Sequence, residues 1–375
     1  MKIRRATMLA VAGILIAATT ARADEIELRD SVFLEFEFEA RMTADIALAD
    51  VDGDGDLDVL AANGRHWAQP DFVYLNNGDG RLLEALPIGR GPSASYRVQP
   101  GDYDGDGDID IVVVRDLLAA VVLVNDGKGN FAEAGTLEGS GGSARNAVGL
   151  DANGDDRSDI AIARRRGPDL LFLGLGDMRF SPAIELPGTD GPSTGMATGD
   201  FDGDGDTDLA IARREGAASL VLLNDGMGNF SATPLSGTEG DNRQLVAADM
   251  DGDGDADIML GRDDGSVALL ANRGDGSFAA PRAIAAGTQP VQSMAAVDFD
   301  GDGLVDLALG TEGRNAILHN RGKAEFVYTE LEEELADTYG IAAGDIDGDG
   351  LPDLVIANSE AANKIMLNRT EGEER

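Results

Sequence analysis

A nine-residue phrase, Asp-x-Asp-Gly-Asp-Gly-x-x-Asp, opens at Asp50, Asp102, Asp151, Asp200, Asp249, Asp298 and Asp345, with a looser match at Asp151. Successive openings lie 47 to 52 residues apart, so one unit fills nearly all of the 375-residue chain. A repeat of this length restricts the fold to an array in which each unit buries its apolar surface against the next.

The fourth unit serves as template. Met196-Ala197-Thr198-Gly199 precedes the Asp phrase, and Leu209-Ala210-Ile211-Ala212 after it reads as a buried strand. A polar turn at Arg213 to Gly216 leads to a third strand, Leu220 to Leu223. Asn224 to Phe230 is then a Gly-rich turn ending on an aromatic, where a fourth strand begins. The turn recurs at Asn125 to Phe131 and Asn272 to Phe278, and in weaker form at Asn76 to Leu82, Gly174 to Phe180 and Asn320 to Phe326. Four short strands at this period predict a β-propeller blade. Small residues in the first strands, such as Ala247-Ala248, Ala295-Ala296 and Ala342-Ala343-Gly344, suit strands converging on a narrow axis.

The last unit reaches Asn368-Arg369-Thr370 where its fourth strand should start, while Ser31 to Phe38 alternates apolar with acidic residues. The N-terminal strand is therefore expected to complete the last blade. The expected fold is all-β: one seven-bladed β-propeller of four-stranded antiparallel blades over residues 24–375. Such closure removes exposed sheet edges.

The Asp phrases carry the chemistry. A hard cation such as calcium takes six to eight oxygens on a flexible loop. Side chains at positions one, three, five and nine can converge on one ion. They are Asp50, Asp52, Asp54 and Asp58; Asp102, Asp104, Asp106 and Asp110; Asp151, Asn153, Asp155 and Asp159; and Asp200, Asp202, Asp204 and Asp208. The later loops supply Asp249, Asp251, Asp253 and Asp257; Asp298, Asp300, Asp302 and Asp306; and Asp345, Asp347, Asp349 and Asp353. Position seven varies among Asp56, Asp108, Arg157, Asp206, Asp255, Leu304 and Leu351, so it is expected to offer its backbone carbonyl. Glycines at positions four and six permit the tight turn. The third loop is the weakest, with Asn153 for an acid and Asp156 for the second glycine. Position twelve is apolar throughout, which excludes an EF-hand. The alternative is a set of merely solvated Asp-Gly turns, but seven such clusters would repel themselves without ions.

Composition supports a cation-dependent fold. The formal net charge is −39 and there is no Cys, so neither disulfides nor charge balance hold the chain together. Such acidity repels nucleic acid and anionic membranes. Residues 1–23 resemble an export signal: Lys2, Arg4 and Arg5, an apolar run from Met8 to Ala18, then Ala21-Arg22-Ala23. The run is too short for a transmembrane helix. A secreted or periplasmic, bacterial location is expected, by the general secretion route or, from Arg4-Arg5, the twin-arginine route.

The phrases Gly101-Asp-Tyr-Asp-Gly-Asp-Gly, Gly199-Asp-Phe-Asp-Gly-Asp-Gly and Gly344-Asp-Ile-Asp-Gly-Asp-Gly, with the Asn-x-Gly-x-Gly-x-Phe turns, resemble FG-GAP/VCBS repeats, bacterial relatives of the integrin α-subunit propeller. The resemblance spans about residues 31–370. It implies calcium in the loop between the first two strands of each blade, on the four Asp positions named above. It implies a partner only loosely: adhesion, carbohydrate binding and, in some members, lyase or phospholipase chemistry. The literal Phe-Gly and Gly-Ala-Pro pieces are absent.

Two residue sets are expected on the face opposite the Asp loops. Second strands end in Arg115, Arg164, Arg213 and Arg262 in four neighbouring units. Six positions before each loop stand Ala44, Tyr96, Arg145, Thr194, Arg243, Gln292 and Tyr339, expected to ring the channel mouth. These arginines could bind carboxylates or sulfates of an acidic glycan or protein partner, or simply pair with Asp116, Glu215 and Asp263. Trp67, in the longest turn of this type, could stack on a sugar or cover the rim. With His66 and His319 the only imidazoles and the acids committed to cations, a non-catalytic binding or adhesion module is expected. The alternative is a calcium-dependent polysaccharide lyase using Arg145, Arg243, Tyr96 and Tyr339.

Overall fold

The computed structural model describes residues 26–370 apart from 32–33, 83 and 333–334. The expected export segment, residues 1–23, lies outside the described residues. Every element among the described residues is a β-strand, and no helix is long and apolar enough to cross a membrane.

In the fourth unit the strands are Ser193–Gly199, Asp208–Arg213, Leu220–Asn224 and Phe230–Pro234, paired in chain order and antiparallel. Met196 opposes Ile211, and Leu209 opposes Leu222. Asp208–Arg213 is buried on both faces up to its last residue, whereas Phe230–Pro234 is largely exposed. A strand covered on both faces reads as a continuous apolar run, which is why this second strand is the most legible in every unit. Four sheets contain four strands each. The remaining strands join into an eleven-stranded system, bridged at Glu312↔Asp337 and Arg41↔Ala361.

The core is not a single mass. Seven apolar clusters form, each between two successive units. Phe201, Ala210 and Val221, for example, pack on Leu245, Ile258 and Leu260. Phe201, like Val51, Tyr103, Ala152, Met250, Phe299 and Ile346, is position two of an Asp phrase and is buried. One cluster joins Ile46, Val59 and Tyr74 of the first unit to Ile346, Val355 and Ile365 of the last.

The N-terminal segment pairs with the end of the chain, but not as one strand over Ser31 to Phe38. Leu28 opposes Asn368 and Arg29 opposes Leu367. A turn follows in which the Leu34 N–H donates to the Ser31 carbonyl at 2.8 Å, and pairing resumes with Glu35↔Lys364 and Phe36↔Asn363. The pairing thus begins earlier than the alternation suggests, and the Ile365 N–H already reaches the Leu34 carbonyl at 3.1 Å. Asp353–Asn368 runs as one element, with Glu360 in the left-handed region at φ 64°.

Candidate functional site

Each Asp loop is shaped by its own backbone amides. In the fourth, Asp200 accepts from the Gly203 amide at 2.8 Å and from Gly205 at 3.1 Å, one on each oxygen. Asp208, at position nine, is fully buried and accepts from Phe201 and Asn224 amides at 2.8 and 2.7 Å. Position three is different. One oxygen of each of Asp202, Asp251 and Asp347 is buried without any hydrogen-bond donor.

Carboxylate oxygens at positions one, three and nine lie within 4.8 Å of one another in the loops opening at Asp50, Asp102, Asp200 and Asp249. Position five (Asp204) accepts its own loop's Asp206 amide at 2.9 Å. The Asp206 side chain, at position seven, turns away and lies against Gly226. A Cβ on that glycine would sit 2.5 Å from a carboxylate oxygen, and Asp56, Asp108 and Asp255 crowd Gly78, Gly127 and Gly274 in the same way. That side chain packs rather than joins the cluster, which accounts for Leu304 and Leu351 at the same position.

The clustered carboxylates are electrostatically unfavourable on their own. Burial, opposed by the two backbone amides and reinforced by neighbouring acids, pushes the position-nine carboxyls up to about 6 at Asp58, Asp159, Asp208 and Asp257. Asp353 is likewise pushed up to about 6, and Asp306 to about 7. Burial and then repulsion from the next Asp raise Asp52, Asp202 and Asp251. Clustered oxygens, unpartnered buried lone pairs and like-charge repulsion together fit a hard divalent cation.

Three loops supply nitrogen groups of their own. In the third, the Asn153 amide and the Arg157 guanidinium reach Asp155 at 3.3 and 3.1 Å, and Asp156 takes φ 61° where other loops have glycine. In the seventh, Arg369 contacts Asp347 and, at 2.6 Å, Asp349. In the sixth, His319 groups with Asp300 and Asp302.

The Asn of each Gly-rich turn ties units together. The Asn224 amide donates to Thr207 in its own unit at 3.1 Å and to Ala152 in the preceding loop at 2.9 Å. Asn76 bonds Leu57 and, across the molecule, Ile346 at 2.7 Å. The third unit has Gly174 here, and its Met178 N–H reaches the Tyr103 carbonyl at 3.3 Å, as the Gly129 and Gly276 N–H groups reach Val51 and Phe201.

On another part of the surface, Ala44, Tyr96, Arg145, Thr194, Arg243, Gln292 and Tyr339 all line one cavity of about 150 Å³, joined by Arg65, His66, Arg97, Arg165 and Arg214. The Arg65 guanidinium lies 3.5 Å from the Tyr339 ring centre, and that of Arg145 lies 4.1 Å from the Tyr96 ring. Arg97 pairs with buried Asp45 at 2.8 Å. Acids stand behind the other arginines: Asp116 behind Arg145, Glu215 behind Arg165, and Asp263 behind Arg243 and Arg214.

Arg115, Arg164, Arg213 and Arg262 do not line this cavity. Arg115 donates to the Ala119 carbonyl at 2.9 Å, Arg164 to Pro168 at 2.6 Å and Arg213 to Asp190 at 3.1 Å. The Arg262 Nε is buried without an acceptor. Side chains alternate along a strand, so the following residues, Asp116, Arg165, Arg214 and Asp263, take the mouth side. Trp67 is 69 % exposed and stands outside the cavity. Sequence reasoning missed Arg65, Arg97, Arg165 and Arg214; counting one residue further along each second strand would have found the last two.

Six overlapping stretches, residues 50–113, 102–162, 151–211, 200–260, 249–309 and 298–356, match the profile of the FG-GAP-like repeat. The chain belongs to the FG-GAP-like repeat family. No functionally curated protein matches it. Among solved structures, this FG-GAP-repeat chain is similar to a lectin of Agrocybe aegerita that recognises non-reducing terminal N-acetylglucosamine. That lectin is 21% identical over 86% of this chain and 87% of its own, with a TM-score of 0.57. BBS1N, solved in complex with ARL6DN, is 12% identical over 92% of this chain and 99% of its own, with a TM-score of 0.62. At these identities the likeness establishes a β-propeller fold and nothing about ligands.

Proposed function

We propose that this FG-GAP-repeat protein is an exported, calcium-stabilised binding module with seven blades closed into a ring, whose channel mouth takes an acidic glycan. Closure is supported by the pairing of residues 28–29 and 35–36 with 367–368 and 363–364, the Asn76–Ile346 bond and the apolar cluster shared by first and last units. Calcium is supported by the oxygen-only donor sets and, in three loops, by an unpartnered buried oxygen at Asp202, Asp251 or Asp347.

The observation that carries the ligand reading is the pair of guanidinium–tyrosine stacks, Arg65 on Tyr339 and Arg145 on Tyr96, at one small cavity. Stacking holds each guanidinium plane in place and leaves N–H groups for a carboxylate or sulfate. A space of about 150 Å³ suits a sugar residue better than a protein surface, which needs far more area. Burial raises the Tyr96 and Tyr339 hydroxyls above the ordinary phenol value, which does not favour a tyrosine base and hence gives the lyase reading no support.

The test is a glycan array comparing uronate-containing or sulfated oligosaccharides with neutral ones, in calcium. Selective retention of acidic probes is expected, weakened about tenfold or more by Arg145→Ala or Arg65→Ala at unchanged melting temperature. Equal retention by the variants would remove the mouth as the site.

A further inference from the structure

The sixth loop departs from its siblings through one side chain. Just before the turn Asn, the other units carry Leu75, Val124, Leu173, Leu223, Ala271 and Leu367, whereas the sixth carries His319. This position lies beside the third residue of its own Asp phrase. Leu223 and Asp202 flank the space over Gly276, and Leu367 and Asp347 flank that over Gly80. His319 is only 4 % exposed. Its Nε2 stands 2.9 Å from an Asp300 oxygen, yet it makes no hydrogen bond of acceptable geometry and is shut off from solvent. Together with Asp302, the three donor atoms lie within 4.8 Å of one another.

A protonated imidazole at this distance is an ion-pair partner for Asp300, whereas a neutral one sets its lone pair beside the carboxylate oxygen, as two ligands of a common ion are placed. Metal–nitrogen and metal–oxygen bonds of about 2.0–2.2 Å put neighbouring ligand atoms about 3 Å apart at right-angled positions and about 3.3–3.6 Å apart in a tetrahedron. At 2.9 Å the pair is within a small adjustment of either edge. Calcium takes oxygen donors, whereas imidazole suits zinc and its first-row neighbours. The sixth donor set therefore does not fit the ion proposed for the other loops. Asp298 is already held by the Gly301 and Gly303 amides at 2.8 Å each. Asp306 is held by the Phe299 and Asn320 amides. Asp300 and Asp302 each accept one loop amide through Oδ1, from Asp302 at 3.2 Å and Leu304 at 2.8 Å, which leaves the second oxygen of each for the site.

We propose that Asp300, Asp302 and His319 form a site for a nitrogen-accepting first-row divalent metal, zinc foremost, within an otherwise calcium-type series. The site is independent of the channel mouth, so it stands or falls apart from glycan binding.

The test strips the full-length chain of metal, equilibrates it with zinc or cobalt in millimolar calcium, and measures bound metal by mass spectrometry after desalting. One tightly held zinc is expected. His319→Leu, which installs the residue of four sibling units, should lower retained zinc about tenfold or more and abolish the visible absorption of bound cobalt. Calcium content should not fall, and a calcium gained in place of the zinc agrees with the sibling loops. X-ray absorption of the zinc-loaded wild type should show a nitrogen ligand, a readout that stands even if the variant fails to fold. Zinc fully displaced by calcium, equal zinc in His319→Leu, or an all-oxygen coordination shell would each overturn the proposal.

Discussion

At the scale of single residues, the position-nine aspartates set the protein's response to pH. Burial raises them all, to about 6 at Asp58, Asp159, Asp208, Asp257 and Asp353, above the 3.8 of an unhindered Asp, so without cations the fold favours their protonated form. That stabilisation is complete below about pH 4 and disappears as pH rises through about 6, or 7 for Asp306. The chelated protein should therefore melt at progressively lower temperature from pH 4 to 7. With calcium present this fall should vanish or reverse, because the ion requires ionised ligands; parallel melting curves in the two conditions would refute the assignment. The third loop offers a gain-of-site test. Asn153→Asp combined with Asp156→Gly and Arg157→Leu restores the sibling pattern and should add one bound calcium by mass spectrometry. What the sequence showed here was the recurring acid itself. It could not show that Arg157 and Arg369 turn onto neighbouring acids, since their rotamers are set by the folded surroundings.

At the scale of elements, the turn asparagine emerges as the fastener between successive units. Asn272 donates to Phe201 in one unit and Ala256 in its own, both at 3.0 Å. Replacing it with Ala takes the side-chain donor from the Ala256 carbonyl and leaves Phe201 with the Gly276 amide at 2.8 Å, a loss of about 1–2 kcal/mol. A urea titration should show that drop with an unchanged slope. The Asn-x-Gly-x-Gly-x-Phe pattern was readable from the chain, but its cross-unit bond was not, because the acceptor lies some seventy positions earlier. The double-sided burial of strands such as Asp208–Arg213 was equally plain from runs of Leu, Ile and Ala. Strand phase was harder. Arg164 and Arg165 are adjacent, yet only Arg165 lines the cavity, and that one-residue choice depends on where the strand pairing starts.

At the scale of the whole molecule, a chain of net charge −39 must hold together without disulfides. Exhaustive chelation at pH 7 should lower its melting temperature, and added monovalent salt should restore part of the loss by screening. Fluorimetry with and without chelator checks both; an unchanged melting temperature would count against calcium as the fastener. The N-terminal segment matters at this scale as well. Removing residues 26–36 takes away the partners of Asn363 to Asn368 and exposes an unpaired strand. Light scattering should then report association that the intact chain lacks. The sequence made the need for such a strand visible, through a last unit one strand short. That the pairing starts as early as Leu28 was not visible, because the alternation begins only at Ser31.

The pairing of Leu28 with Asn368 sets the two ends of the folded chain side by side and antiparallel. A load applied between them would therefore strip their hydrogen bonds singly from the free end, rather than shear them all at once. Under tension, this junction is where the molecule would yield first.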